Sequence, residues 1–182
     1  MKKLLLVITL LIGALSYGAT VKWSVGNYTF NVGGAALTSG IAYLISTDTS
    51  VASPTITKES LTSWTTQFTG VNSVTITNGG VTGSDFLASN ADLTVGNTYN
   101  FYLLVLDNSD AAQAQNYFLS GTTPGTLISE GGPTDQNTLA LKFGGKGTSN
   151  MPATPDWATV PEPTALALLA LGVAGLALRR RA

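Results

Sequence analysis

Alternating apolar and polar residues near the start of the chain predict a β-hairpin. Residues 21–25 and 28–32 each place three apolar side chains at every second position. Gly26 and Asn27 lie between the two runs and suit a two-residue hairpin turn. Because successive side chains of a strand point to opposite faces, this register would place all the apolar side chains on one side of the ribbon.

Five further runs are rich in β-branched and aromatic residues and are separated by polar turn residues. We expect strands at residues 41–46, 73–77, 99–106, 115–119 and 138–143. The run 99–106 alternates little, which predicts a central strand that is covered on both faces. About seven strands of this kind predict an all-β fold, an antiparallel β-sandwich of jelly-roll or immunoglobulin-like type.

Two segments depart from the strand pattern. Leu61, Trp64 and Phe68 have the i, i+3, i+7 spacing of one helix face, which predicts a short helix that starts near Ser60. Residues 144–159 have no periodicity and are rich in Gly, Pro, Ser and Thr. They predict a flexible linker, which would reach about 50 Å at ~3.1 Å per residue.

The first residues predict a signal peptide. Two lysines precede the apolar run 4–15, which is short for a membrane span. The small residues Ser16 and Gly18 suit a signal peptidase, so we expect export and cleavage after Gly18, with Ala19 as the new first residue. Cleavage after Ser16 is the alternative.

The last residues form a segment of three parts. In order, these are Pro161, Glu162 and Pro163, an apolar run at 165–178, and the arginines Arg179, Arg180 and Arg181. Prolines and an acidic residue fit the start of a helix. The apolar run would be about 21 Å long as a helix, against a hydrocarbon core of ~30 Å. It predicts a weak membrane span with the arginines on the cytoplasmic side.

The order of Pro-Glu-Pro, short apolar helix and terminal arginines, on a chain with a signal peptide, resembles the PEP-CTERM family of sorting signals. The resemblance implies export through the inner membrane of a Gram-negative-type bacterium. It implies that Pro161, Glu162 and Pro163 are recognised by an exosortase, a membrane transpeptidase-like enzyme that processes the tail. It further implies anchoring in the inner membrane, at least transiently, followed by display on the cell surface or release into the extracellular matrix.

These features divide the chain into four parts. They are a signal peptide at 1–18, a β-sandwich ectodomain at 19–143, a linker at 144–159 and a sorting tail with a membrane helix at 160–182. The resemblance to PEP-CTERM sorting signals is confined to the two ends of the chain and does not indicate what the ectodomain does.

Composition excludes several kinds of chemistry. The chain contains neither cysteine nor histidine, so it has no disulfide, no thiolate or imidazole metal ligand and no Ser-His-Asp triad. Residues 19–159 carry four lysines, no arginine and nine acidic residues. This acidic balance argues against nucleic acid and against anionic membrane surfaces as partners.

Carboxylates are the remaining candidates for chemistry. A glycosidase needs two of them, and five are available: Asp85, Asp92, Asp107, Asp110 and Glu130. Their spacing singles out no pair, so we expect a protein that is not an enzyme and has no cofactor. Asp107 and Asp110 also flank a short run of oxygen ligands suited to Ca²⁺. The run lacks the Gly and terminal Glu of an EF-hand loop, and an Asx-rich turn without metal is the preferred interpretation.

Three tryptophans could stack on sugars. Core packing is the expectation for Trp23 and Trp64, whereas Trp157 suits a membrane-interface anchor at least as well. We therefore expect an exported envelope or matrix protein whose ectodomain has a structural or adhesive role. The alternative is a carbohydrate-binding module for exopolysaccharide, and a glycoside hydrolase-like enzyme ranks below it.

Overall fold

The computed structural model describes residues 19–83, 85–127, 138–144 and 150–162, which form two large packed β-sheets and one small two-stranded sheet. The strands are β1 (Ala19–Val25), β2 (Asn31–Val32), β3 (Ala35–Ala36), β4 (Gly40–Asp48), β5 (Thr69–Gly70), β6 (Ser73–Thr77), β7 (Gly80–Val81), β8 (Phe86–Asn90), β9 (Thr98–Leu106), β10 (Asn116–Leu119), β11 (Thr123–Thr126), β12 (Thr138–Phe143) and β13 (Trp157–Thr159). An α-helix, α1, covers Lys58–Thr65, and a 3-10 helix covers Ala111–Gln113. The predicted all-β sandwich is confirmed.

The first sheet has the order β12-β1-β8-β5. β1 pairs in antiparallel fashion with β8 and in parallel with β12. Its even alternation places Val21 and Trp23 in the interior with no exposed surface, while Lys22 lies on the outer face. The first strand of the domain is therefore bonded on both sides.

The second sheet has the order β13-β10-β9-β4-β6-β7, with β11 also paired to β9. β9 is its centre, since β4 lies along one side and both β10 and β11 lie along the other. Every residue of β9 from Tyr99 to Leu106 is buried. The expectation of a central strand covered on both faces is confirmed.

Two apolar clusters explain why β9 shows no alternation. The inner core fills the space between the sheets and includes Trp23, Phe101 and Phe118. The outer core lies on the opposite face of the second sheet, where α1 and the 3-10 helix cover residues such as Tyr102 and Leu104. Alternate side chains of β9 thus enter different cores, and both sets are apolar.

The helix at α1 confirms part of the predicted pattern. It starts earlier than expected, because Thr57 caps it and exchanges capping-box hydrogen bonds with Ser60. Leu61 and Trp64 face the outer core as the spacing predicts. Phe68 lies beyond the end of the helix and belongs to the inner core instead.

The predicted hairpin between residues 21–25 and 28–32 is wrong. Both edges of β1 are already occupied by β8 and β12, so no edge is left for the following segment. The chain instead leaves the first sheet after Gly26, and the Phe30 amide donates to the carbonyl of Gly79 at 2.8 Å. Phe30 is nevertheless buried as the pattern predicts, because it packs in the inner core without pairing with β1.

The other predicted strands correspond to β4, β6, β9, β10 and β12, with small differences at their ends. Within the described ranges, no helix is long and apolar enough to cross a membrane. The predicted signal peptide and the apolar run 165–178 lie outside those ranges.

The prediction of a flexible linker over 144–159 needs correction at its C-terminal part. Residues 150–159 are packed on the sandwich, and their last three residues form β13 at the edge of the second sheet. The segment lacks periodicity because Asn150, Pro152 and Trp157 contact different parts of the domain and do not lie on one regular face. Residues 145–149 lie outside the described part of the chain.

Candidate functional site

The segment 150–161, here called the C-terminal strap, joins the sandwich to the predicted sorting tail. Asn150 fixes its start. Its Nδ2 donates to the carbonyl of Lys142 at 2.8 Å and lies 2.7 Å from Oγ1 of Thr123, and its Oδ1 accepts from the amide of Gly144. Its carbonyl accepts from the amide of Gly121 at 2.7 Å. One amide side chain thus connects strands of both sheets.

Aromatic residues hold the middle of the strap. The hydroxyl of Tyr28 donates to the carbonyl of Pro152 at 2.8 Å, and partial burial raises the pKa of this phenol above its ordinary value. The indole nitrogen of Trp157 donates to the carbonyl of Asn31. The indole ring packs against Phe118, with 6.3 Å between ring centroids. Trp157 is therefore a packing residue of the domain.

The end of the strap packs on the outer core. β13 pairs in antiparallel fashion with β10, and the Val160 amide continues this pairing by donating to the carbonyl of Gln115 at 2.8 Å. The side chain of Val160 is only 5% exposed and packs in the outer core. The carbonyl of Pro161 accepts from the amide of Lys58, the first residue of α1, at 3.3 Å.

The side chain of Lys58 also connects the start of α1, where the strap ends, to the 3-10 helix. Its ammonium group donates to the carbonyls of Ala112 and Ala114 at the 3-10 helix. The start of α1, the 3-10 helix and the last docked residue of the strap are therefore connected through one lysine.

The predicted sorting residues begin where this docking ends. Pro161 and Glu162 are exposed, directly after the buried Val160. Pro163 and the three arginines at 179–181 lie outside the described residues. At the other end of the domain, Ser16 and Gly18 also lie outside, whereas Ala19 is the first residue of β1 and is 3% exposed.

A family model for the PEP-CTERM protein-sorting motif matches residues 159–181. The tail carries a PEP-CTERM sorting motif. The resemblance seen in the sequence is confirmed, and it supports an exported protein that is processed at the membrane by an exosortase-type system. No curated protein and no solved structure matches the chain significantly. The PEP-CTERM match begins at Thr159, the last residue of β13, so folded domain and sorting motif overlap.

The calcium candidates Asp107 and Asp110 lie in a loop that their own carboxylates organise. Asp107 accepts from the amide of Gln115 at 2.9 Å and from the side chain of Asn116 at 2.7 Å. Asp110 caps the 3-10 helix by accepting from the amide of Ala112. Among the described residues, no group of three or more acidic side chains could hold a metal ion. The carboxylates thus perform the turn-forming role of an Asx-rich loop.

The structure separates the other carboxylates considered for glycoside chemistry. Asp85 precedes β8 and forms an exposed ion pair with Lys22 at 3.2 Å. Asp92 follows the opposite end of β8, and its amide donates to the side chain of Asn90. Glu130 lies outside the described residues.

Core packing is confirmed for Trp23, and Trp64 packs against the outer core while remaining half-buried. Trp23 has no exposed surface, packs 5.0 Å from Phe86 and donates its indole N–H to the carbonyl of Val71. Trp64 is half-buried against the outer core and donates its N–H to the carbonyl of Thr55 at 3.0 Å. Each indole N–H is therefore directed to a main-chain carbonyl.

Sequence reasoning missed the residues that dock the strap. Asn150 stands alone among turn-forming residues and carries no pattern that would reveal its partners. A signal for β13 does exist, because Trp157, Thr159 and Val160 are good strand formers that end at a proline.

Proposed function

We propose that this chain is an exported envelope or matrix protein whose β-sandwich has a non-catalytic, structural or adhesive role. The observation that carries the exported, sorted part of the proposal is the PEP-CTERM match at 159–181, which begins at the last residue of β13. A cut at or beyond this motif would leave every strand of the sandwich intact. Sorting would therefore deliver a complete folded domain.

The route proposed for the chain has two processing steps. The export machinery and signal peptidase act first, and removal of residues 1–18 leaves Ala19 at the start of β1. The tail then holds the protein in the inner membrane through the apolar run 165–178 and its arginines. An exosortase-type enzyme removes the tail, and the sandwich reaches the cell surface or the matrix.

A structural or adhesive role accounts for the ectodomain better than the alternatives. A carbohydrate-binding module needs exposed aromatic rings, whereas Trp23 is fully buried, Trp64 and Trp157 are half-buried, and all three donate their N–H groups to main-chain carbonyls. The candidate carboxylates Asp107 and Asp110 serve their own loop. We therefore propose no catalytic activity and no cofactor for the sandwich.

Mass spectrometry of both termini tests the proposal on protein recovered from the envelope and the medium of the native host. We expect a chain that starts at Ala19 and ends near Pro161 to Pro163. Glu162→Gln should cause retention of the tail, because it removes the charge from the recognition motif. Asp156→Asn, a matched change at an exposed residue of the strap, should leave processing unchanged. Mature protein that keeps Arg179 to Arg181 would contradict the proposal.

A further inference from the structure

We propose that the C-terminal strap is a gate on the sorting reaction. In the docked state it holds the residues directly before the exposed sorting motif against the sandwich, and the processing enzyme acts only after residues 157–161 have left β10 and the start of α1. This inference rests on the proposed sorting function and adds the conformational step that controls access to the motif.

The docked strap leaves little free chain between the domain and the membrane. Val160 is buried, and the apolar run starts at Ala165. Five residues of extended chain span about 17 Å at ~3.4 Å each. With the strap docked, at most about 17 Å of chain therefore separates the buried Val160 from the start of the apolar run, and the sorting motif lies within this short stretch.

Release of the strap changes this distance. The four residues 157–160 add about 14 Å of extended chain at ~3.4 Å each. The sorting motif would then be separated from the sandwich by a flexible segment. The strap thus has two arrangements: in one, residues 157–160 are bound to the domain, and in the other they are free together with the motif.

An enzyme that cleaves a polypeptide binds several extended residues on each side of the bond, and folded segments are cleaved through local opening. In the docked state the backbone of β13 is paired with β10, and the amide of Val160 is bonded to the carbonyl of Gln115. The residues directly before the motif are therefore occupied by the domain. Their release is a precondition for binding to the enzyme.

The strap can open without unfolding of the sandwich. β13 has three residues and lies at the edge of its sheet, where Ala158 and Thr159 are exposed. β10 keeps its pairing with β9 after β13 has left. Burial of Val160 and Trp157 favours the docked state, so the equilibrium between docked and released strap is biased toward docking.

A disulfide lock tests the gate in the full-length chain. The protein contains no cysteine, and Tyr117 and Ala158 are direct partners in the pairing of β10 with β13. Directly opposed residues of antiparallel strands have Cα atoms about 4.5–5.5 Å apart, within the range of a disulfide. The double variant Tyr117→Cys/Ala158→Cys can therefore fix the strap when oxidised and free it when reduced.

We expect the oxidised double variant to lose its tail at least about tenfold more slowly than the reduced form of the same protein in the native host. Thr20→Cys/Ser89→Cys is the matched control, because it links β1 to β8 and does not involve the strap. This control should be processed at the wild-type rate in both redox states. Equal processing of the oxidised and reduced strap lock would overturn the gate.

A second measurement is independent of the enzyme. A thiol reagent should label Val160→Cys at least about tenfold more slowly than Thr159→Cys in the full chain, because residue 160 is reached only by opening. Equal labelling rates would show that the strap is not docked and would overturn the gate alone. A wild-type chain that is never processed, with residue 160 still protected, would instead contradict the proposed sorting function.

Discussion

The two ends of the folded domain are held in different ways. β1 lies inside its sheet with a partner strand on each side, and its inward residues belong to the inner core. β13 lies at the edge of the other sheet with one partner strand, and two of its three residues are exposed. Removal of β1 would open the sandwich, whereas removal of β13 would leave it closed.

This difference fits the order of events at the two ends. β1 must enter the sheet for the domain to fold, so the proposed cleavage site before Ala19 directly precedes a strand that is essential to the fold. The C-terminal strap can detach from a domain that is already folded. Processing of the tail is thus compatible with a native sandwich. In the proposed gate, the free energy of strap docking controls how fast the tail is processed.

The largest expected effect concerns β1. Trp23→Ala removes a fully buried indole, and such truncations cost about 3–5 kcal/mol of unfolding free energy. Urea unfolding should report this as a loss of global stability. Trp23→Phe is the matched control and should cost less, since it keeps a buried aromatic ring and loses the N–H bond to Val71 together with part of the ring volume. A loss below about 1 kcal/mol for Trp23→Ala would contradict the central role of β1.

Asn150→Ala should loosen the strap and spare the sandwich. It removes the side-chain bonds to Lys142, Thr123 and Gly144, which we expect to cost about 1–3 kcal/mol of strap docking. Hydrogen exchange at the amides of Trp157 to Val160 should accelerate about tenfold or more, with that of β9 almost unchanged.

Asn27→Ala, at an exposed bend, is the matched control for Asn150→Ala and should change neither set of amides. Equal acceleration of exchange in β9 and β13 after Asn150→Ala would mean that the strap and the sandwich open together. That result would remove the difference between the two ends.

The sequence was sufficient to locate the strands whose buried residues follow a regular pattern. β9 could be found because a run of apolar residues leaves no polar face, and β6 because Val74 and Ile76 alternate with polar residues. Pairing was not predictable in the same way. β1 pairs with β8 and with β12, which lies more than a hundred residues away along the chain, and nothing in the local pattern of residues 21–25 reveals these partners.

The sequence predicted the sorting motif of the candidate site but not the docking of the strap that precedes it. Pro161, Glu162 and Pro163 form a local motif that can be recognised in the sequence alone. The docking of the preceding strap depends on contacts such as that of Asn150 with two sheets, which are long-range and specific to this fold. A segment rich in Gly and Pro is therefore a weak indication of flexibility when a few of its residues have partners elsewhere.

Thr57→Ala tests the corner where the strap ends. Loss of this N-cap costs about 1 kcal/mol and should fray the start of α1, where the Lys58 amide donates to the carbonyl of Pro161. Exchange at the amide of Val160 should increase more than exchange in β1. Thr62→Ala, at an exposed position inside the same helix, should be neutral or slightly stabilising. Similar destabilisation by both variants would contradict a specific role for the cap.

The smallest effect is a dependence of the strap on alkaline pH. Partial burial raises the pKa of Tyr28, and the neutral hydroxyl donates to Pro152 in the strap. This contribution is constant below pH ~10, the ordinary pKa of tyrosine, and decreases at higher pH because the unfolded chain ionises first and a phenolate cannot donate. Tyr28→Phe should destabilise the domain by less than about 1 kcal/mol at pH 8 in urea unfolding. The difference from wild type should shrink above pH ~10, and a constant difference would contradict the hydrogen bond as its cause.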